Sequence, residues 1–174
     1  ITKGQDNYLV KKHSDIFENG LPKNIVIANA RFKGLAAYDY TVDTLYIRED
    51  LIDENTVKEM LKDGEFASMG LDDISLHEYG HKIYWDKAKE LYNGNKKLYN
   101  SVIEASMAYE GPLRKYIKTK LLSDKLYVMK NISKYAHISL LDMNFREVYS
   151  ELYVLIKNKK IQDKALIKIM EELL

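Results

Sequence analysis

The chain has 174 residues and 20.3 kDa and is 46% apolar and 30% charged, the proportions of one folded globular domain and not of a disordered segment. Twenty-seven Lys and Arg against 26 Asp and Glu leave a net charge of +1, which supplies no field to gather nucleic acid or an anionic membrane. With no cysteine and four histidines, disulfides, thiolate metal sites and cysteine nucleophiles are excluded, and imidazole and carboxylate remain as metal ligands.

No stretch approaches the roughly 18 apolar residues of a membrane span and no signal sequence opens the chain, so a soluble protein is expected. The chain starts at Ile1 and not at Met, and so reads as a piece of a longer protein. Pro stands only at positions 22 and 112, and no linker or repeat divides the chain, which is expected to be one domain over 1–174. Residues 5–19 read as a helix with Leu9, Ile16 and Phe17 on one face, stopped by Gly20 and Pro22. The β-branched run 24–28 reads as a buried strand, and 35–40 with 44–48 as a hairpin turning at 41–43. From Glu54 onward the pattern predicts helices at about 54–62, 72–92, 96–109, 112–129, 142–158 and 161–173, with Pro112 at a first helical position. A small sheet followed by a helical remainder is an α+β arrangement.

His77-Glu78-Tyr79-Gly80-His81 is an H-E-x-x-H sequence. On a helix the two imidazoles, four residues apart, stack on one face and can close on one ion. Glu78 is offset by one residue, which sets it beside the ion within reach of a water there. Asp72 or Asp73 is the expected N-cap, and Ile74, His77, His81, Tyr84, Trp85 and Ala88 form a helix-spaced face. Gly80, a poor helix former, marks a place where the sheet or another helix comes close.

A hydrolytic zinc site commonly takes three protein ligands and a water, the third ligand often a carboxylate from a separate helix. Glu147 and Glu151 lie one above the other on the helix predicted at 142–158, two predicted helices after His81. Glu147 is the candidate ligand, and Glu151 the candidate acceptor for a ligand histidine's ring N–H. Glu104, Glu110 and His137 are rival third ligands. The longer H-E-x-x-H-x-x-G-x-x-H motif fails, because Tyr84 stands where it needs glycine.

In these residues the chain resembles zincin metallopeptidases. Glu147-Val148-Tyr149-Ser150-Glu151 is similar to the E-x-x-S-D segment of thermolysin-like gluzincins, with Glu151 in the aspartate's place. The resemblance is closer to the catalytic domain of anthrax lethal factor, whose relatives carry H-E-[FY]-G-H and later a Tyr upstream of E-x-x-x-E. Ser133-Lys134-Tyr135-Ala136 resembles that upstream element. The stretches 77–86, 132–136 and 146–153 are also similar to the zincin domains of phage minor capsid, or head morphogenesis, proteins.

The resemblance implies a zincin-like fold, with a small N-terminal mixed sheet whose antiparallel edge strand lies over the active-site helix. It implies Zn²⁺ on His77, His81 and Glu147, Glu78 as general base and Tyr135 as donor to the oxyanion. Gly34, Leu35, Ala36 and Ala37, on the first strand of the hairpin, would bind an extended peptide or protein substrate by β-augmentation. The implied activity is a zinc endopeptidase. The alternative is a phage head module, with capsid or portal proteins as partners, whose zinc site is idle or used for processing. A virion or host-cytoplasm location goes with the phage context, and secretion with a toxin or effector.

Overall fold

The structure, a computed structural model, describes residues 3–17 and 20–174. The Ile1 start and the end of the first predicted helix at residues 18 and 19 lie outside them. Helix α1, Lys3–Ile16, turns Leu9 and His13 inward, and Phe17 follows on the same side, all three at 0% exposure.

Three short strands follow: β1 (Asn24–Ala28), β2 (Ala36–Asp39) and β3 (Thr44–Arg48). Their order is β1-β3-β2, with β1 parallel and β2 antiparallel to β3. The mixed sheet is therefore small, and the hairpin is present with Ala36 opposite Ile47 and Asp39 opposite Thr44. The buried strand is β3, through Leu45 and Ile47. The run 24–28, expected to be buried, is instead an edge strand with Val26 41% exposed, because only one of its sides is covered by β3. Asp43 in the hairpin turn has φ 47°, a conformation an aspartate tolerates. Its carboxylate is tied down by the Tyr38 hydroxyl at 2.7 Å and the Lys82 ammonium at 3.3 Å.

A 3₁₀ turn at Glu49–Ile52 leads to α2 (Glu54–Leu61), capped by Asp53. Then come α3 (Leu71–Gly94), α4 (Val102–Tyr109), α5 (Gly111–Ser123), α6 (Tyr127–Asn131), α7 (Lys134–Leu141), α8 (Phe145–Lys157) and α9 (Lys164–Leu173). The observed class is α+β and mostly helical. Several helix ends differ from the sequence expectation. The N-cap of α3 is Gly70, not Asp72 or Asp73; Asp72 pairs with Lys12 at 3.0 Å, and Asp73 accepts from the Met69 N–H at 2.9 Å. The helix expected from 96 starts only at Val102, because Ser101 accepts from the Glu104 N–H at 3.1 Å. The helix expected over 112–129 breaks at Asp124, whose carboxylate takes the Leu126 N–H at 3.0 Å. Four helices, α4 to α7, separate α3 from α8 where the sequence predicts two. Helix α7 is the unforeseen one; Met143, at φ 59°, divides it from α8.

The core has two parts. One lies under the sheet and includes Leu9, Phe17, Leu45, Ile47 and Val57. The other lies among the helices and includes Leu113, Val128, Tyr149, Leu152 and Leu166. Helix α3, with 24 residues and a length of about 36 Å, runs through both. Leu71 and Ile74 enter the first part, and Tyr84, Trp85 and Ala88 the second. The H-E-x-x-H residues fall between them. Among the described residues no helix is long and apolar enough to cross a membrane.

Candidate metal centre

Helix α3 packs against α8 at Gly80. A Cβ built there would stand 3.1 Å from Ser150 Cα and 3.2 Å from Tyr153 Cβ, so the glycine admits another helix, and that helix is α8. This close approach lets Glu147 and Glu151, one turn apart on α8, reach across to the histidines.

The three expected ligands converge. Glu147 Oε2 lies 3.1 Å from His77 Nε2 and 3.2 Å from His81 Nε2. Among the described residues, His77, His81 and Glu147 form a group that can hold a metal ion. Glu151, fully buried, accepts from His77 Nδ1 at 2.8 Å through Oε1. Its Oε2 accepts from the Ala67 N–H and the Ser133 hydroxyl, each at 2.6 Å. With all its bonds made, Glu151 holds one His77 proton on Nδ1, so the proton a metal displaces is the one on Nε2.

The rival ligands are elsewhere. Glu104 accepts from the Asn100 N–H at 2.7 Å at the start of α4. Glu110 is held by the Tyr84 hydroxyl at 3.0 Å and by a short ion pair with Arg114. His137, on α7, lies outside the group.

Glu78 is 5% exposed, and its Oε2 has no hydrogen-bond partner among the described residues. The Tyr38 backbone N–H donates to its carboxylate. Burial pushes the Glu78 carboxyl above the usual range, against the pull of His77 and His81. At His77 burial works against the imidazolium, but the hydrogen bonds its ring donates to Glu147 and Glu151 prevail and raise its pKa well above the ordinary value. Burial also works against the Glu147 carboxylate, yet His81 and His77 hold it far below the carboxylate range. The pair therefore shares charge in the way ligands do before a cation replaces their protons. Tyr135 places its ring centre 6.2 Å from that of His77 and its hydroxyl against Glu147. Burial and the Glu147 charge both raise its phenol, so it keeps its proton.

These groups open on a cleft of about 530 Å³. Strand β2 forms one wall, and Gly34, Leu35, Ala36 and Ala37 all line it. Leu35 C=O accepts from the Arg48 N–H at 3.1 Å, so by the alternation of an antiparallel ladder Ala36 and Tyr38 turn their N–H and C=O groups to the open edge.

Four contributors were not foreseen as parts of the site. Ala67 N–H and Tyr38 N–H carry no side-chain signal. Ser133, quoted only as part of a motif, both caps α7 at Ala136 N–H, 2.9 Å, and bonds Glu151. Arg146 immediately precedes the candidate ligand Glu147 and lines the cleft. Compared with models of known protein families, with curated proteins and with solved structures, the chain matches none.

Proposed function

We propose that this protein is a zinc-dependent endopeptidase with a zincin-like arrangement of edge strand, H-E-x-x-H helix and later glutamate. The observation that carries the reading is the convergence of His77 Nε2, His81 Nε2 and Glu147 Oε2 at the floor of an open cleft, with an unpartnered Glu78 oxygen beside them. Their spacings of 3.1 and 3.2 Å fit the separation of about 3.3 Å between ligands of a tetrahedral zinc with bonds of about 2.0–2.1 Å. Two imidazoles and one carboxylate leave a fourth position open, the pattern of catalytic zinc. When bound there, zinc would polarise a scissile carbonyl and acidify the attacking water.

The chain's own residues do the rest. Glu78 takes the proton of the attacking water and returns it to the leaving amine. Tyr135, protonated at neutral pH, donates to the oxygen on which charge develops. The Ala36 N–H and C=O and the Tyr38 C=O hold an extended peptide at the β2 edge. Glu78→Gln is expected to keep its zinc and to lower kcat on a degenerate peptide library by about 10²–10⁴-fold or more. Undiminished turnover in a zinc-loaded Glu78→Gln sample contradicts the mechanism.

A further inference from the structure

Among the described residues that line the cleft, Arg146 is the only Lys or Arg. Its guanidinium carbon lies 5.4 Å from the centre of the Trp85 ring, and Trp85 in turn stacks on Tyr40 with ring centres 3.6 Å apart and 11° between the planes. Its one hydrogen bond is a long one, from Nε to Asn144 Oδ1 at 3.4 Å, and it forms no ion pair with a carboxylate among the described residues. The nearby acids are engaged elsewhere. Asp39 is bonded to the Thr41 N–H and hydroxyl, Glu147 to the two histidines, and Glu110 to Arg114 and Tyr84, with Arg146 adding only a smaller through-space pull on Glu110. A guanidinium within cation–π range of an indole, with its terminal N–H groups unpaired among the described residues, can take a carboxylate in a bidentate grip.

The direction of the cleft says where on a substrate that carboxylate would lie. Ile74, His77, His81 and Trp85 follow one another along α3. Along β2 and the residues that flank it, Leu35 shares the core of Ile74 at one end, Tyr38 meets Glu78 in the middle, and Tyr40 stacks on Trp85 at the other. Strand β2 therefore runs in the direction of α3. A peptide added antiparallel to β2, the more stable pairing, runs the other way, its N-terminal part beside Tyr40 and Trp85. Substrate residues ahead of the scissile bond then pass Arg146. A free C-terminal carboxylate would lie at the opposite end, where Leu61, Phe66 and Ile74 make the wall apolar.

We propose that Arg146 is a specificity determinant that selects substrates carrying Asp or Glu on the N-terminal side of the bond to be cleaved. This rests on the peptidase reading, and the test separates the two. The zinc-loaded wild type, Arg146→Gln and Arg146→Glu are given a degenerate peptide library, and the cut products are sequenced. Asp and Glu should be enriched at least fivefold at one position before the cut by the wild type, lose that enrichment with Arg146→Gln, and give way to Lys and Arg with Arg146→Glu. Cleavage by the wild type without acidic enrichment, or an unchanged profile in Arg146→Gln, overturns the proposal.

Trp85 is the single tryptophan of the chain, so its fluorescence reports on this subsite without any turnover. In zinc-loaded Glu78→Gln protein, an acetylated and amidated tri-glutamate should bind at least fivefold more tightly than tri-glutamine or tri-lysine, and Arg146→Gln should abolish the difference. Equal binding of the three overturns the proposal. Selective binding with no cleavage by the wild type overturns the peptidase reading and leaves the acidic subsite standing.

Discussion

Glu151 decides the state of His77. Its Oε1 takes the Nδ1 proton at 2.8 Å while Oε2 holds Ala67 and Ser133. In Glu151→Gln the amide oxygen can keep those two donors, which leaves the amide N–H₂ facing Nδ1. The ring is then driven to carry its proton on Nε2, the atom that must be bare to bind a metal. Zinc affinity, measured by competition with a chromophoric chelator, should fall about 10–100-fold with little change in thermal midpoint; an unchanged affinity contradicts the tautomer argument. His77, Glu78 and His81 were legible in the sequence because one helix fixes their relation. Glu147 was legible as the best of several candidates, since only it had a second carboxylate one turn away. The donors that complete the shell, Ala67 N–H and Tyr38 N–H, were not legible, because a backbone group has no residue type to betray it.

Between elements, the contact of α3 with α8 sets the geometry of the site. Alanine at position 80 would gain about 1 kcal/mol of helix propensity. Its methyl would also meet Ser150 Cα at 3.1 Å, a backbone atom that cannot swing away, and overpacking of this kind costs about 1–3 kcal/mol. Gly80→Ala is therefore expected to lower both the thermal midpoint and the zinc affinity, as α8 is pushed back with its two glutamates. A gain in stability, the outcome of propensity alone, contradicts a close helix contact. The glycine's purpose was readable from its poor helix propensity, though not which element approached. Boundaries were less readable, and for a common reason: the caps at Ser101 and Ser133 and the break at Asp124 depend on which side-chain oxygens bond the backbone locally. Apolar spacing is blind to that choice. The same blindness hid α7, which shows little segregation of apolar residues around its axis.

On the scale of the molecule, α1 closes the sheet-side core over the first turns of α3. His13 on α1 is fully buried, bonded through Nδ1 to Ser75 Oγ at 2.8 Å, and its Nε2 has no hydrogen-bond partner among the described residues. Burial lowers its pKa from 6.5 to about 4; Asp72 opposes this by a smaller amount and Lys12 adds to it. Between those values the unfolded chain takes up a proton that the folded chain refuses. The contribution to stability is complete above pH 6.5 and is lost as the pH falls to about 4, a total of roughly 3 kcal/mol. Urea midpoints at pH 7.5 and 4.5 should therefore differ less in His13→Leu than in the wild type; equal differences contradict the buried neutral imidazole. In the sequence, Leu9, His13 and Phe17 recur every four residues on one face, the spacing that carries the histidine inward with its two apolar neighbours.

The central claim is that His77, His81 and Glu147 hold zinc. It is tested most directly by an anomalous-difference map from crystals of the zinc-equilibrated protein, recorded on both sides of the zinc absorption edge. The account predicts one peak at full occupancy within about 2.0–2.2 Å of His77 Nε2, His81 Nε2 and a Glu147 oxygen. A map with no peak there, or with its zinc on other residues, contradicts it.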